Sequence, residues 1–219
     1  MKKAIFILAI SLFAVNIFAQ SEKYTKAMGN LVPSIDTLWN ADGLRELSNS
    51  FERVADAEKT QWLPYYYAAL ARVNAGYAIS MTNGSMGGNA DKSDPEAKKA
   101  EELLNKAEAL SKDNSEIFVV KKLIATLYLL GDPMNRYMTY GPQASTALET
   151  AKKLNPNNPR VYLEEGLDKY NTPEQYGGSK EEGKKMLEEA VKKYEAFKPE
   201  SNLHPNWGLS YAKKIIAGQ

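Results

Sequence analysis

Four segments of the chain carry an apolar triplet at the same spacing, i, i+4, i+7: Leu47/Phe51/Val54, Ala100/Leu104/Ala107, Ala144/Leu148/Ala151 and Gly183/Leu187/Ala190. That spacing sets three side chains in one stripe of an α-helix. In the last three triplets a leucine stands between two small residues, so a neighbouring helix can approach closely. A second series of aromatic residues, Tyr65, Phe118, Tyr162 and Trp207, runs between the triplets. The triplets step by 53, 44 and 39 residues and the aromatics by 53, 44 and 45. A helix pair repeated at such a step cannot bury its apolar face alone and must stack on the next pair. No segment sustains a period of two, so the expected fold class is all-α.

Helix boundaries follow from local chemistry. A first helix over 22–39 is expected to break at Pro33, and Asp42 is expected to cap the second. Gln61–Met81 reads as a long helix with Pro64 in its first turn. The Gly- and Asn-rich stretch 80–90 reads as a loop, and Ser93-Asp94-Pro95 as the next helix start. Ser115–Leu130 is apolar on most sides and should be the most buried helix. Met134–Pro142 reads as a second inserted loop and Asn171–Ser179 as a third. Asn155-Pro156 should stop one helix, and Asn158-Pro159 should start the next with Asn158 as its cap. Ser179 with Glu182 suggests a capping box. Pro205–Ala217, with Trp207, reads as a final helix.

The aromatic position on one helix and the small–large–small triplet on the next resemble the tetratricopeptide repeat family. The best-matched residues are Tyr162 and Gly166 on a first helix, and Ala144, Leu148, Ala151 and Pro156 on a second. Glu165 and Lys169 depart from the family pattern, and the steps exceed its usual length of about 34 residues. The excess is expected in the three loops. The resemblance implies a right-handed α-solenoid of about four tetratricopeptide-like helical hairpins with extended loops, closed by Pro205–Ala217 as a capping helix. It also implies that first helices line a concave groove. Transferred by alignment, the groove positions are Tyr66, Asn74, Glu116, Thr126, Arg160, Tyr170 and Asn171. The Met134–Pro142 insertion adds Arg136, Tyr137 and Tyr140, either forming a site or plugging the groove.

Residues 1–19 have the pattern of a secretory signal: Lys2 and Lys3, an apolar run over 4–15, and a cut expected after Ala19. An uncleaved anchor is the alternative, although a span needs about 20 apolar residues. Residues 20–219 are then expected to form a single repeat domain, periplasmic or secreted, with no stable membrane insertion. The chain has no cysteine, which removes disulfides, thiolate metal sites and thiol nucleophiles. Loss of two lysines with the signal turns a formal charge of +1 into −1. A near-neutral protein offers no global field for nucleic acid.

Catalytic residues are scarce. His204 is the only histidine and stands in a His-Pro-Asn-Trp turn, where a structural role is expected. A zinc site would need more His or Cys ligands. Neither Gly84–Gly88 nor Gly177-Gly178-Ser179-Lys180 has phosphate-loop spacing, and Asn83, Asn89, Asp91 and Asp94 do not have calcium-loop spacing. No metal, cofactor or enzymatic activity is therefore expected. The first functional reading is an exported adaptor that binds a protein or peptide segment in its groove. The second is a small-ligand-binding module for a transport system. An enzyme would require a perturbed carboxylate pair in a cleft, with Glu164 or Glu165 as candidates.

Overall fold

Helix starts are set where a side chain can accept one of the free N–H groups of a first turn. The computed structural model describes residues 22–81 and 88–218. Residues 22–31 form α1, which runs into a 3-10 turn, Val32–Asp36, around Pro33. The helices that follow are α2 (Ala41–Glu58), α3 (Trp62–Met81), α4 (Ala90–Leu110), α5 (Ser115–Gly131), α6 (Pro133–Leu154), α7 (Pro159–Asn171), α8 (Lys180–Ala196) and α9 (Leu209–Ala217). Asn114, Asn158 and Ser179 accept from the backbone N–H of Glu116, Arg160 and Glu182 at 2.9, 3.0 and 3.2 Å. The cap of α2 is Asn40, which accepts from Gly43 at 2.7 Å; Asp42 lies inside the first turn.

The described residues contain no strand and form an all-α fold of sequential antiparallel pairs. Within it, α3 packs on α4, α5 on α6 and α7 on α8, while α2 closes on α3 and α9 on α8. The expected loop at Met134–Pro142 is not a loop. Asp132 alone separates α5 from α6, and the whole stretch belongs to α6. Pro133 suits the first turn, where no N–H is required. Pro142 forfeits the bond to the Met138 carbonyl, yet the helix continues through it while packed along α5. Likewise α4 begins at Ala90 and carries Pro95 inside it. The extra repeat length therefore resides largely in helices of 20 to 22 residues, α3, α4 and α6.

The core is centred on α3, with Tyr66, Tyr67, Leu70 and Val73 fully buried. A smaller cluster joins Leu163 and Leu187 to Tyr194 and Ala212. On α8, Gly183 lies where a Cβ would meet the Tyr170 backbone at 2.6 Å, which is why this triplet begins with glycine. Helix α7 joins α5 and α6 through a small buried cluster of Val119, Leu148, Ala151 and Val161 and through polar bonds. Asn158 Nδ2 donates to Ser115 Oγ at 2.9 Å, which donates to the Ala151 carbonyl at 2.8 Å. Further along, Lys122 Nζ bonds Glu164 at 2.8 Å and Asp168 at 2.6 Å. Burial would lower the Lys122 ammonium, but the two carboxylates outweigh it and hold the group above its ordinary range.

The segment between α8 and α9 is non-helical, with a turn over 201–204, and Trp207 lies in it instead of on the last helix. Pro205 and Gly208 keep it out of helical conformation. Gly208 has φ +100°, the left-handed region that favours glycine.

Candidate functional site

Tyr66, Glu116 and Arg160 stand near the starts of α3, α5 and α7, and the structure brings them together. Arg160 donates from Nε to Glu116 Oε2 at 2.6 Å and from Nη2 to Oε1 at 2.5 Å, a bidentate pair. Tyr66 Oη donates to the same carboxylate at 3.3 Å. The expected groove, however, is covered by the chain's own segment 197–208. Trp207 Nε1 donates to Tyr66 Oη at 2.8 Å, and Tyr67 Oη donates to the Leu203 carbonyl at 2.9 Å. Tyr194 Oη donates to the Trp207 carbonyl at 2.7 Å, and the Phe197 ring centre lies 4.8 Å from the Arg160 guanidinium carbon. Tyr66 and Arg160 are consequently fully buried. Burial raises the Tyr66 phenol well above its ordinary range, so it stays protonated. These residues build an internal clamp and are closed to an outside ligand in this conformation.

The remaining positions transferred from the resemblance lie further along the same helices. Asn74, Thr126 and Tyr170 are half-buried and Asn171 is exposed at the end of α7. From Arg160 to Tyr170 is ten positions, about 15 Å at the helical rise. Among the described residues no hydrogen bond joins these four to one another.

Arg136, Tyr137 and Tyr140 occupy the first half of α6. Arg136 donates from Nη1 and Nη2 to the two Asp94 carboxylate oxygens at 2.7 Å each, and from Nη1 to the Tyr128 carbonyl at 3.0 Å. Tyr140 stacks on Tyr128 with ring centres 5.0 Å apart and planes at 20°. Helix α6 is thus tied to α4 and α5, and it does not fold back over the groove. Its outer side presents Met134, Tyr137 and Met138, which are 91, 63 and 81% exposed. Positions 134, 137, 138 and 141 fall on one helix face. Beside Tyr128 lies a shallow hollow of about 540 Å³, lined by Asp94, Pro95 and Lys98 among others. Exposed methionines with an aromatic ring form an adaptable apolar surface.

A second cavity, of about 290 Å³, lies between the Val32–Asp36 turn and segment 197–208; Asp36, Tyr67, His204 and Trp207 line it. His204 is held by its neighbours, Nδ1 at 2.9 Å from Ser201 Oγ and Nε2 at 3.1 Å from Glu200. All three belong to one turn, and the Glu200 carboxylate is highly exposed, an arrangement suited to fixing the turn. Glu164 and Glu165 do not pair with each other; Glu164 shares the buried Lys122 ammonium with Asp168, and burial raises its carboxyl above its ordinary range. Glu165 bonds Lys152 at 2.8 Å. Among the described residues no group of three or more His, Asp or Glu is placed to hold a metal ion. Asn83 and the Gly84–Gly87 stretch lie outside the described residues, as do residues 1–19 with the expected signal. Among the described residues no helix is long and apolar enough to cross a membrane.

Met134, Met138, Asp36 and Tyr67 escaped the sequence reasoning. The methionines stand in a stretch whose flanking prolines, Pro133 and Pro142, predict a loop. Asp36 and Tyr67 line one cavity together with segment 197–208, which reaches Tyr67 through the Leu203 carbonyl, 136 positions away. The Pro205 and Gly208 punctuation around Trp207 was the available signal that this stretch leaves the helical pattern.

No family model matches the chain, and no curated protein matches it. Among solved structures it is similar to the HusA haemophore from Porphyromonas gingivalis, at 30% identity and a TM-score of 0.74. The match covers 88% of this chain and 90% of that one. That relative is a haemophore, a binding protein and not an enzyme.

Proposed function

The chain belongs to the family of the HusA haemophore, and from that premise we propose that it binds haem or a related porphyrin as cargo for uptake. The observation that carries this reading is the 30% identity sustained over 88% of the chain. It favours the small-ligand reading of the sequence over the peptide adaptor. The covered groove agrees, because an adaptor of tetratricopeptide type would have to expel residues 197–208 before a peptide could enter.

We place the porphyrin on the α6 face. A porphyrin is a flat apolar macrocycle with anionic carboxylates at its edge. Met134, Tyr137 and Met138 offer it soft and aromatic contacts, and the Tyr128/Tyr140 stack gives the neighbouring surface rigidity. Lys98, exposed beside Tyr128, has no ion pair among the described residues and supplies a cation for a carboxylate. Arg136 is already matched by Asp94 and acts by holding α6 to α4. Of the sequence candidates, Tyr137 and Tyr140 enter the site directly and Arg136 supports it. Removal of residues 1–19 on export, leaving 20–219 as the working unit outside the cytoplasm, belongs to the same proposal; N-terminal sequencing of the mature protein tests it.

Haemin titration followed in the Soret band tests the binding. The protein should give a saturable shift. The triple variant Met134→Ala/Tyr137→Ala/Met138→Ala should bind at least tenfold more weakly, about 1.4 kcal/mol, with unchanged helical circular dichroism. Unchanged haemin affinity in that variant refutes the placement, and no saturable binding by the native chain refutes the function.

A further inference from the structure

We propose that Met134 and Met138 are redox-sensitive modification sites, oxidised by hydroperoxides to sulfoxides that turn the α6 face polar and weaken its hold on porphyrin. The inference rests on the porphyrin reading of that face. The chain has no cysteine, so methionine thioethers are its only sulfur groups. Exposure then decides which of them reacts. Met28 is fully buried in the core and Met186 is half-buried on α8. Met134 and Met138 are the most exposed methionines among the described residues, at 91 and 81% against 52% for Met81 at the end of α3. They stand four positions apart on α6, a spacing that sets two side chains on one helix face with Cβ atoms about 5–6 Å apart. The exposed Tyr137 ring lies beside them.

The step is an oxygen transfer. A sulfur lone pair attacks one peroxide oxygen, the O–O bond breaks and an S–O bond forms. The departing hydroxide takes the proton left on the transferred oxygen and becomes water. The sulfur is thereby oxidised by two electrons and the hydroperoxide reduced by two. A polar, chiral sulfoxide then stands where a flexible apolar side chain stood. The hydrocarbon of a macrocycle laid on this face would strip water from two sulfoxide oxygens and return no hydrogen bond to them. The fold is spared, because both side chains lie outside the buried core clusters, in contrast to Met28. The bonds of Arg136 to Asp94 and the Tyr128/Tyr140 stack, which tie α6 to α4 and α5, involve neither thioether. The openness that admits the oxidant also admits a sulfoxide reductase, so the change is reversible.

The purified protein is treated with hydrogen peroxide, the peroxide is removed, and oxidation at each methionine is read by peptide mass spectrometry. Haemin affinity is measured in the Soret band before and after treatment. Met134 and Met138 should oxidise at least tenfold faster than Met28. Haemin affinity should fall at least tenfold with unchanged circular dichroism, and methionine sulfoxide reductases of both epimer specificities should restore it. Met134→Leu/Met138→Leu keeps Met81 and is compared only with itself, before and after peroxide; its affinity should not move. The reductase rescue on the native chain stands without this variant. Oxidation of Met134 and Met138 no faster than that of Met28, an affinity untouched by their oxidation, or an equal loss in the leucine variant overturns the proposal. Absence of saturable haemin binding by the untreated protein refutes the porphyrin reading and the switch with it, and is seen before any peroxide is added.

Discussion

Replacing Glu116 with alanine gives the most direct test of how the repeat pairs are joined. The side chain of Arg160 is fully buried, and both of its strong hydrogen bonds end on Glu116. Its Nη1 has no hydrogen-bond partner among the described residues. Glu116→Ala therefore leaves a buried guanidinium with the Phe197 ring as its main compensation. Breaking a buried pair in this way costs about 3–5 kcal/mol. For a chain of this size each kcal/mol lowers the melting temperature by about 2–4 °C, so the variant should melt roughly 6–20 °C below the native protein. The same argument predicts that Glu116→Leu/Arg160→Met recovers most of the loss, because neither charge then needs solvation. Tyr66 keeps its bond from Trp207 in both variants and loses only the long bond to the carboxylate. Urea denaturation followed by circular dichroism measures both. A loss below about 1 kcal/mol for Glu116→Ala, or a double variant no more stable than the single one, would falsify the account of this clamp.

Three further substitutions follow from the same geometry. Burial pushes the Asp36 carboxyl up, against the Gly208 N–H and the Arg160 charge, which lower it. A raised folded-state value means that the native protein loses stability as pH climbs from the unfolded carboxylate range, near 4, through that value. Asp36→Asn should therefore melt above the native protein at pH 7, with the gap closing toward pH 3; a gap independent of pH contradicts this. Tyr24 has a buried hydroxyl with no partner among the described residues, and burial, aided by Glu58, pushes its pKa up to about 12. Tyr24→Phe should be neutral or stabilising by up to about 1 kcal/mol in the same denaturation experiment. Gly208→Ala should lose at least about 2 kcal/mol, because φ is +100° and the new Cβ would lie 2.5 Å from Leu163 Cδ2 and 2.7 Å from Tyr194 Oη.

Much of the helical framework was legible in the residues themselves. The Asn158-Pro159 start, the Asn155-Pro156 stop and the Ser179 cap depend on groups within a few positions of one another, and they stand where expected. The triplets mark buried faces because a helix brings i, i+4 and i+7 together whatever it packs against; Leu104, Leu148 and Leu187 are all buried. Proline misled at Pro95 and Pro142, since packing of a long helix outweighs one missing hydrogen bond. Of the seven positions that the resemblance sets in a groove, the structure joins Tyr66, Glu116 and Arg160 by hydrogen bonds and covers them with segment 197–208.

The chain alone determined its secondary structure class, the pairing of successive helices and the scarcity of catalytic groups, because these follow from periodicity, caps and residue types acting over short distances. Tertiary structure decided what covers the first-helix face and which tyrosines stay exposed. Trp207 reaches Tyr66 across 141 positions, and Asp36 meets Gly208 across 172. Contacts of that range depend on how several helix pairs stack, and no local pattern of residues encodes them.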